Sequence, residues 1–138
     1  MGRILAIDYG LKRTGLAVTD PLKMIASPLE TVKTSELIEW IRSYIQKEKL
    51  DLIVVGMPTK LDQSPTHSTK AVSNFIVELE KSFPSIRIDK EDERFTSKMA
   101  LQSMIQGGMK KKDRREKANV DKISAAIILQ SYLQKLNK

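Results

Sequence analysis

Two short apolar runs, separated by one helix-like segment, constrain the fold of this 138-residue chain more than any other feature. The runs cover residues 4–7 and 50–55, and each ends at a polar or turn-forming residue. A short continuous apolar run is typical of a strand buried on both faces of a sheet. Because residues 37–45 between them repeat apolar side chains at helical spacing, a parallel crossover connection is the economical one. The sequence therefore predicts an α/β domain.

The remaining pattern adds three strands and three helices. Residues 13–19 alternate and follow the first strand closely, which predicts an antiparallel hairpin partner. A third extended segment is expected within residues 24–32, and a short strand at 86–88. Thr34 or Ser35 is expected to cap the helix that ends near residue 49. Further helices are predicted over residues 68–83, from 96 to the glycines at 107 and 108, and from about 119 to 135. We expect one domain over residues 1–138, with a mixed sheet.

Composition narrows the class of function. The chain carries 24 Lys and Arg against 17 Asp and Glu, a formal net charge of +7, so a polyanion is the first partner to consider. The absence of cysteine excludes disulfides and thiol chemistry, which leaves oxygen and nitrogen groups for any site. No segment has the pattern of a signal peptide or the length of a membrane span, so we expect a cytoplasmic protein without a membrane partner.

Acidic residues stand at three separated places where a ligand site could form. Asp8 ends the first strand, at the edge where open α/β sheets bind ligands, although it could equally accept hydrogen bonds within a turn. Residues 91–93, Glu-Asp-Glu, follow the last strand, and a solvated turn is the common explanation for such a run. Asp121 lies in the first turn of the predicted final helix, where the helix dipole alone would favour it.

Taken together, these acids suggest one site bordered by a basic connection at residues 107–117. Glycines 10 and 15 would let a phosphate approach the backbone closely, or would serve only turn and bulge geometry. Magnesium and similar hard cations prefer oxygen ligands, and basic residues outside such a site hold phosphates without reading sequence. The combination fits metal-assisted hydrolysis of phosphodiester bonds.

Four stretches resemble one family over nearly the whole chain and in the same order. They are ILAIDYGLKRTGLAV at residues 4–18, VVGMPTKLDQS at 54–64, DERFTS at 92–97 and DKISAAIILQSYL at 121–133. They are similar to the YqgF family, also called RuvX, whose members are described as Holliday junction resolvases and as pre-16S rRNA nucleases. The resemblance implies an RNase H-like fold, with a five-stranded mixed sheet, an antiparallel second strand and helices on both faces.

The resemblance also implies a catalytic and metal-binding set of Asp8, Glu93 and Asp121, with Mg²⁺ or Mn²⁺ as the cofactor. Glu91 or Asp92 could substitute for Glu93, because two strand spacings of about 4.8 Å separate the backbones of an edge strand and the central one. The residues expected to contact nucleic acid are basic and flank this site. They are Lys12, Arg13, Arg94, Lys110, Lys111, Lys112, Arg114 and Arg115.

The sequence therefore predicts a metal-dependent endonuclease acting on structured nucleic acid. Its favoured role is processing the 5′ end of pre-16S rRNA, free or within a pre-ribosomal particle. The alternative is a Holliday junction resolvase acting on branched DNA in recombination and repair, which would normally need a dimer, whereas the chain is expected to be a monomer or weak homodimer. A non-catalytic RNA-binding module and a single-lobe relative of the actin-like ATPases and sugar kinases are the remaining alternatives.

Overall fold

The structure is a computed structural model, and it describes residues 2–57, 67–92 and 117–136. Three helices and a short 3₁₀ turn accompany one five-stranded sheet in these ranges. The strands are β1 (Arg3–Asp8), β2 (Arg13–Thr19), β3 (Ala26–Lys33), β4 (Leu50–Met57) and β5 (Arg87–Asp92). The helices are α1 (Leu37–Lys47), which follows the 3₁₀ turn Thr34–Glu36, α2 (His67–Ser82) and α3 (Lys117–Leu136).

The sheet has the order β3-β2-β1-β4-β5, which places β1 at its centre. β2 pairs antiparallel with β1 and with β3, whereas β4 pairs parallel with β1 and with β5. Among the described strands, β2 alone therefore runs against the others. This topology confirms the predicted mixed sheet with an antiparallel second strand, and it confirms the parallel crossover from the hairpin to β4.

Side-chain alternation along β1 divides the core into two faces. Leu5 and Ile7 are buried against α1 and α2, in a cluster that includes Ile41 and Leu79. Ile4 and Ala6 point the other way and pack against α3. The residues of α3 in that second cluster recur at helical spacing; they are Ala125, Ile128, Leu129, Tyr132 and Leu133. None of the described helices combines the length and hydropathy needed to cross a membrane.

One local prediction was wrong for a tertiary reason. Neither Thr34 nor Ser35 caps a helix: α1 begins at Leu37, after Glu36, and no side chain bonds to its N-cap amides. The Thr34 hydroxyl instead donates to the Gly10 carbonyl oxygen at 2.6 Å, which ties the 3₁₀ turn to the β1–β2 connection. The final helix begins at Lys117, two residues earlier than predicted. The helix predicted from residue 96 and the basic connection at 107–117 lie almost wholly outside the described residues.

Candidate active site

Asp8 is the last residue of the central strand, and its side chain is on the face covered by α3. Ile4 and Ala6 pack against α3, and the two-residue period of a strand puts Asp8 on the same side. Asp8 is half-buried and is paired across the sheet with Gly15 of β2. The carboxylate therefore lies at the carboxyl edge of the sheet, under the beginning of α3.

Gly15 lets α3 approach this strand pair more closely than any other residue would. A Cβ atom at Gly15 would lie 2.0 Å from the Asp121 carbonyl oxygen and 2.9 Å from the Lys122 nitrogen, distances that real Cβ atoms do not show. The backbone of α3 consequently rests on β2 beside Asp8. Helix backbone fills the space beside Gly15, so a phosphate does not approach there, and the glycine serves helix packing rather than the turn or bulge geometry that the sequence suggested.

This contact places the backbone of Asp121 beside the strand pair that ends in Asp8. It is the fifth residue of α3, and no acid stands in the first turn of that helix. The stabilisation of acids by a helix dipole is confined to the first turn, so the dipole does not explain Asp121. Its Oδ2 atom accepts a hydrogen bond from Nε of Arg13 at 3.0 Å. A second acid and a predicted phosphate-binding residue thus lie together at the end of the sheet.

Glu91 reaches the same level of the sheet but is directed elsewhere. Ile7 pairs with Val55, and Gly56 with Glu91, so one β4 strand separates Asp8 from Glu91. Glu91 is buried, and its Oε1 atom accepts a hydrogen bond from Nζ of Lys135, near the end of α3. Alternation puts the neighbouring Asp92 on the α1 and α2 face, away from Asp8. Glu93 itself lies outside the described residues, and substitution of Glu91 or Asp92 for it stays a prediction.

A second polar contact joins β5 to α3. The Tyr132 hydroxyl donates to Oδ2 of Asp89 at 2.6 Å. This bond, with that from the Lys90 amide, holds the pKa of Asp89 below its ordinary value despite partial desolvation. Burial, followed by the hydrogen bond to Asp89 and the charge of Asp89, raises the pKa of Tyr132 to about 12. Tyr132 is therefore neutral and Asp89 ionised at neutral pH.

The rest of the predicted site lies outside the described residues. Glu93 and Arg94 follow β5 directly, and the basic residues 110–115 precede α3. Lys12 is described and is exposed in the β1–β2 connection, next to Arg13. Within residues 2–57, 67–92 and 117–136, no three acidic or histidine side chains are close enough to hold a metal ion. The described structure therefore supplies two of the three acids predicted as ligands.

Sequence reasoning missed the contacts that connect β5 to α3. Lys135 is 44 residues from Glu91, and Tyr132 is 43 residues from Asp89, so no local pattern indicates either pair. One signal was available: Arg87, Asp89 and Glu91 alternate along a strand whose apolar residues point the other way. Three polar residues on one strand face predict polar partners on the covering helix.

Comparisons with known proteins agree with this geometry. A family model described as RuvX, Holliday junction resolvase, matches residues 2–135. A Christiangramia forsetii protein named "Putative pre-16S rRNA nuclease" is 56% identical over 133 residues, which are 96% of this chain and 98% of that protein. A Phocaeicola vulgatus protein of the same name is 51% identical over 134 residues, 97% of this chain and 96% of that one.

Solved structures show the same fold at low sequence identity. RuvC of T. thermophilus, in complex with a Holliday junction substrate, superposes with a TM-score of 0.59 at 13% identity. The match covers 100% of this chain and 98% of that one. A second Thermus thermophilus RuvC structure gives a TM-score of 0.55 at 16% identity, with 98% of this chain and 96% of that one covered. The RNase H-like fold expected from the sequence is confirmed.

Proposed function

The chain belongs to the RuvX family, and we propose that it is a divalent-metal-dependent endonuclease that processes the 5′ end of pre-16S rRNA. Relatives that match nearly the whole chain at about half identity carry the name of that activity. The net charge of +7 suits a polyanionic substrate. We infer the substrate class from these relatives and the catalytic residues from the geometry of the site.

One observation carries the catalytic proposal. Asp8, at the end of the central strand, is paired with Gly15, and the backbone of Asp121 rests on that glycine. Two acidic residues from distant parts of the chain thus lie at the same end of the sheet, at the edge where open sheets bind ligands. A sheet edge that is only solvated does not need a buried glycine contact that fixes one acidic residue beside another.

The donor set fits a hard divalent cation. Carboxylate oxygens are the ligands that Mg²⁺ and Mn²⁺ accept. Asp8 and Asp121 would hold the ion together with Glu93, which follows β5 in the sequence. A bound ion would lower the pKa of water and offset the charge that develops on the phosphate.

The protein's own cations have a different part in this proposal. Arg13 is ion-paired with Asp121 and is 42% exposed, so its guanidinium can also meet a phosphate at the rim of the site. Lys12 is exposed beside it. With Arg94 and the basic residues 110–115, they would hold the substrate backbone by charge, without reading its sequence.

Replacing Asp8 with asparagine tests the proposal. The Asp8→Asn protein should fold normally and bind a precursor rRNA fragment, but should cleave it at least about a hundredfold more slowly, because a charged ligand is lost. Asp51→Asn is the matched control, since Asp51 is at the start of β4, at the opposite end of the sheet, where it pairs with Lys23 at 2.8 Å. Undiminished cleavage by Asp8→Asn would remove the basis of the assignment.

A second candidate is cleavage of four-way DNA junctions, which the description of the matching family favours. Resolving a junction requires two symmetrical cuts and hence normally a dimer. Cleavage of a precursor RNA and of a four-way junction should be measured side by side, with Asp8→Asn as the blank. We expect the RNA to be the better substrate, and faster symmetrical cutting of the junction would reverse that order.

A further inference from the structure

A cavity of about 520 Å³ opens on the other side of the strand that ends in Asp8. Its wall includes Tyr9 and Leu11 of the β1–β2 connection, Thr34 of the 3₁₀ turn, and Phe75 of α2. Tyr9 packs with the cluster under α1 and α2, whereas Asp8 faces α3. The cavity and the candidate active site are therefore on opposite faces of one strand end, and adjacent Cα atoms are only about 3.8 Å apart.

The wall of the cavity is held in place by contacts within the protein. The Tyr9 and Phe75 rings are stacked, with centroids 4.5 Å apart and planes inclined by 23°. Besides donating through its hydroxyl to the Gly10 carbonyl oxygen, Thr34 donates its backbone amide to the Lys12 carbonyl oxygen at 3.0 Å. A cavity shaped before binding costs little ordering when a ligand enters.

The side chains that line the cavity favour a nucleobase over a phosphate as its ligand. Leu11 is 76% exposed at its rim, so its apolar side chain is available to a ligand in the cavity. Glu39 and Glu78, from α1 and α2, also line it. Glu39 is also ion-paired with Arg42 at 3.6 Å. The Glu78 carboxylate repels phosphate, but it accepts hydrogen bonds from the amino groups of adenine, cytosine and guanine. Aromatic and apolar surface provides the packing that a base needs.

We propose that this cavity binds one unpaired nucleobase of the substrate strand, next to the phosphate that is cut. The strand would cross the carboxyl edge of the sheet, with a phosphate at Asp8 and the neighbouring base beside Tyr9. This assignment rests on the proposed nuclease function and adds a specificity site to it. The base bound there would be one that carries an exocyclic amino group.

Binding of abasic RNAs tests the cavity without any cleavage. Asp8→Asn protein would be titrated by fluorescence anisotropy with a precursor fragment in which each unpaired nucleotide in turn lacks its base. At one position, loss of the base should weaken binding at least about fivefold, the lower end of what one stacked base contributes. Uracil at that position should bind more weakly than cytosine. Equal affinity for all abasic RNAs would overturn the assignment.

Two pairs of variants locate the effect in the cavity. Leu11→Ala should remove most of the difference between intact and abasic RNA, whereas Leu22→Ala, 62% exposed in the β2–β3 connection, should leave it unchanged. Glu78→Gln should reduce the preference for cytosine over uracil, and Glu80→Gln, on the same helix but outside the cavity lining, should not. An abasic effect that Leu11→Ala and Glu78→Gln leave intact would place the base elsewhere.

Cleavage of the same RNAs by the wild-type protein distinguishes the two proposals. Cleavage that is indifferent to every base would leave the nuclease in place and overturn the cavity assignment alone. Base-dependent binding without any cleavage would keep the cavity and overturn the nuclease.

Discussion

Arg13 forms an ion pair with one of the two acids at the end of the sheet, and this pair has two possible uses. The Arg13 Nε and Asp121 Oδ2 atoms are 3.0 Å apart, and both side chains are partly exposed. An exposed pair of this kind contributes at most about 1 kcal/mol, so a divalent cation bound by Asp121 would displace it. The guanidinium would then be available to a phosphate.

We predict that Arg13→Gln tightens metal binding to the RNA-free protein. Removing the competing cation should lower the dissociation constant for Mn²⁺ by up to about fivefold, the equivalent of about 1 kcal/mol, with little change in stability. Calorimetric titration measures this directly. Arg3→Gln is the control, because Arg3 pairs with Glu48 at the far end of β1. Unchanged Mn²⁺ affinity in Arg13→Gln would show that the pair does not compete with the ion.

At the scale of elements, α3 contacts the sheet at both of its ends. Its beginning contacts the hairpin strand β2, and its last turn contacts the edge strand β5. Its beginning rests on Gly15 of β2, and its last turn holds Glu91 through Lys135. Oε2 of Glu91 is buried and has no hydrogen-bond partner in the described part of the chain. Lys135 is therefore the main compensation for this buried charge.

Lys135→Met should consequently destabilise the protein by about 2 kcal/mol, less than the usual loss at a fully buried pair because Lys135 is largely exposed. Adding Glu91→Gln to that variant should restore part of the loss, since the stranded charge is then removed. Urea unfolding of both variants and of Glu91→Gln alone gives the coupling. A double variant no more stable than Lys135→Met would mean that the Glu91 charge is not what the lysine compensates.

The bond between Tyr132 and Asp89 gives stability a predictable dependence on pH. Because the pKa of Asp89 is lowered in the folded protein, Asp89 stabilises the fold above its ordinary pKa of 3.8. This stabilisation is lost as the pH falls through the lowered pKa. Because the pKa of Tyr132 is raised to about 12, Tyr132 stabilises the fold below its ordinary pKa of 10.0. This stabilisation is lost as the pH rises toward 12.

Tyr132→Phe should therefore cost about 1 kcal/mol at pH 7, and this difference from the wild type should shrink below about pH 3.8 and above about pH 10. Urea unfolding across the pH range measures it. Tyr44→Phe, in α1 on the opposite face of the sheet, is the control and should show no acid-side change. A difference for Tyr132→Phe that stays constant from about pH 2 to 8 would exclude Asp89 as the relevant partner.

Local patterns predicted the elements of this fold better than their ends. Alternation in residues 13–19 and the apolar run at 50–55 identified β2 and β4, because burial of one or both faces imposes those patterns. Thr34 was misassigned as a cap because its hydroxyl bonds to Gly10, 24 residues away. That Asp8 and Asp121 share one end of the sheet depends likewise on Gly15; their positions in the sequence suggested a common site, and the family resemblance supported it.

At the scale of the whole molecule, the proposed function assigns catalysis to acidic residues and substrate binding to basic residues. The net charge of +7 is long-range and would draw in a polyanion, while in the proposed function the acids at the edge of the sheet would hold the cation. Among the residues proposed to hold phosphate, the basic residues 110–115 carry the largest share of local charge. They lie outside the described residues, and binding measurements test their contribution.

Replacing Lys111, Lys112, Arg114 and Arg115 with glutamine should weaken RNA binding and flatten its salt dependence. For single strands, each phosphate that is no longer neutralised lowers the slope of log affinity against log salt by about 0.7, so the slope should fall by up to about 3. The control replaces Lys23, Lys47, Lys49 and Lys81, which are near the opposite end of the parallel strands and make the same change in net charge. If both sets lowered the slope equally, net charge alone would account for binding; if only the first did, residues 110–115 would be the phosphate-binding surface.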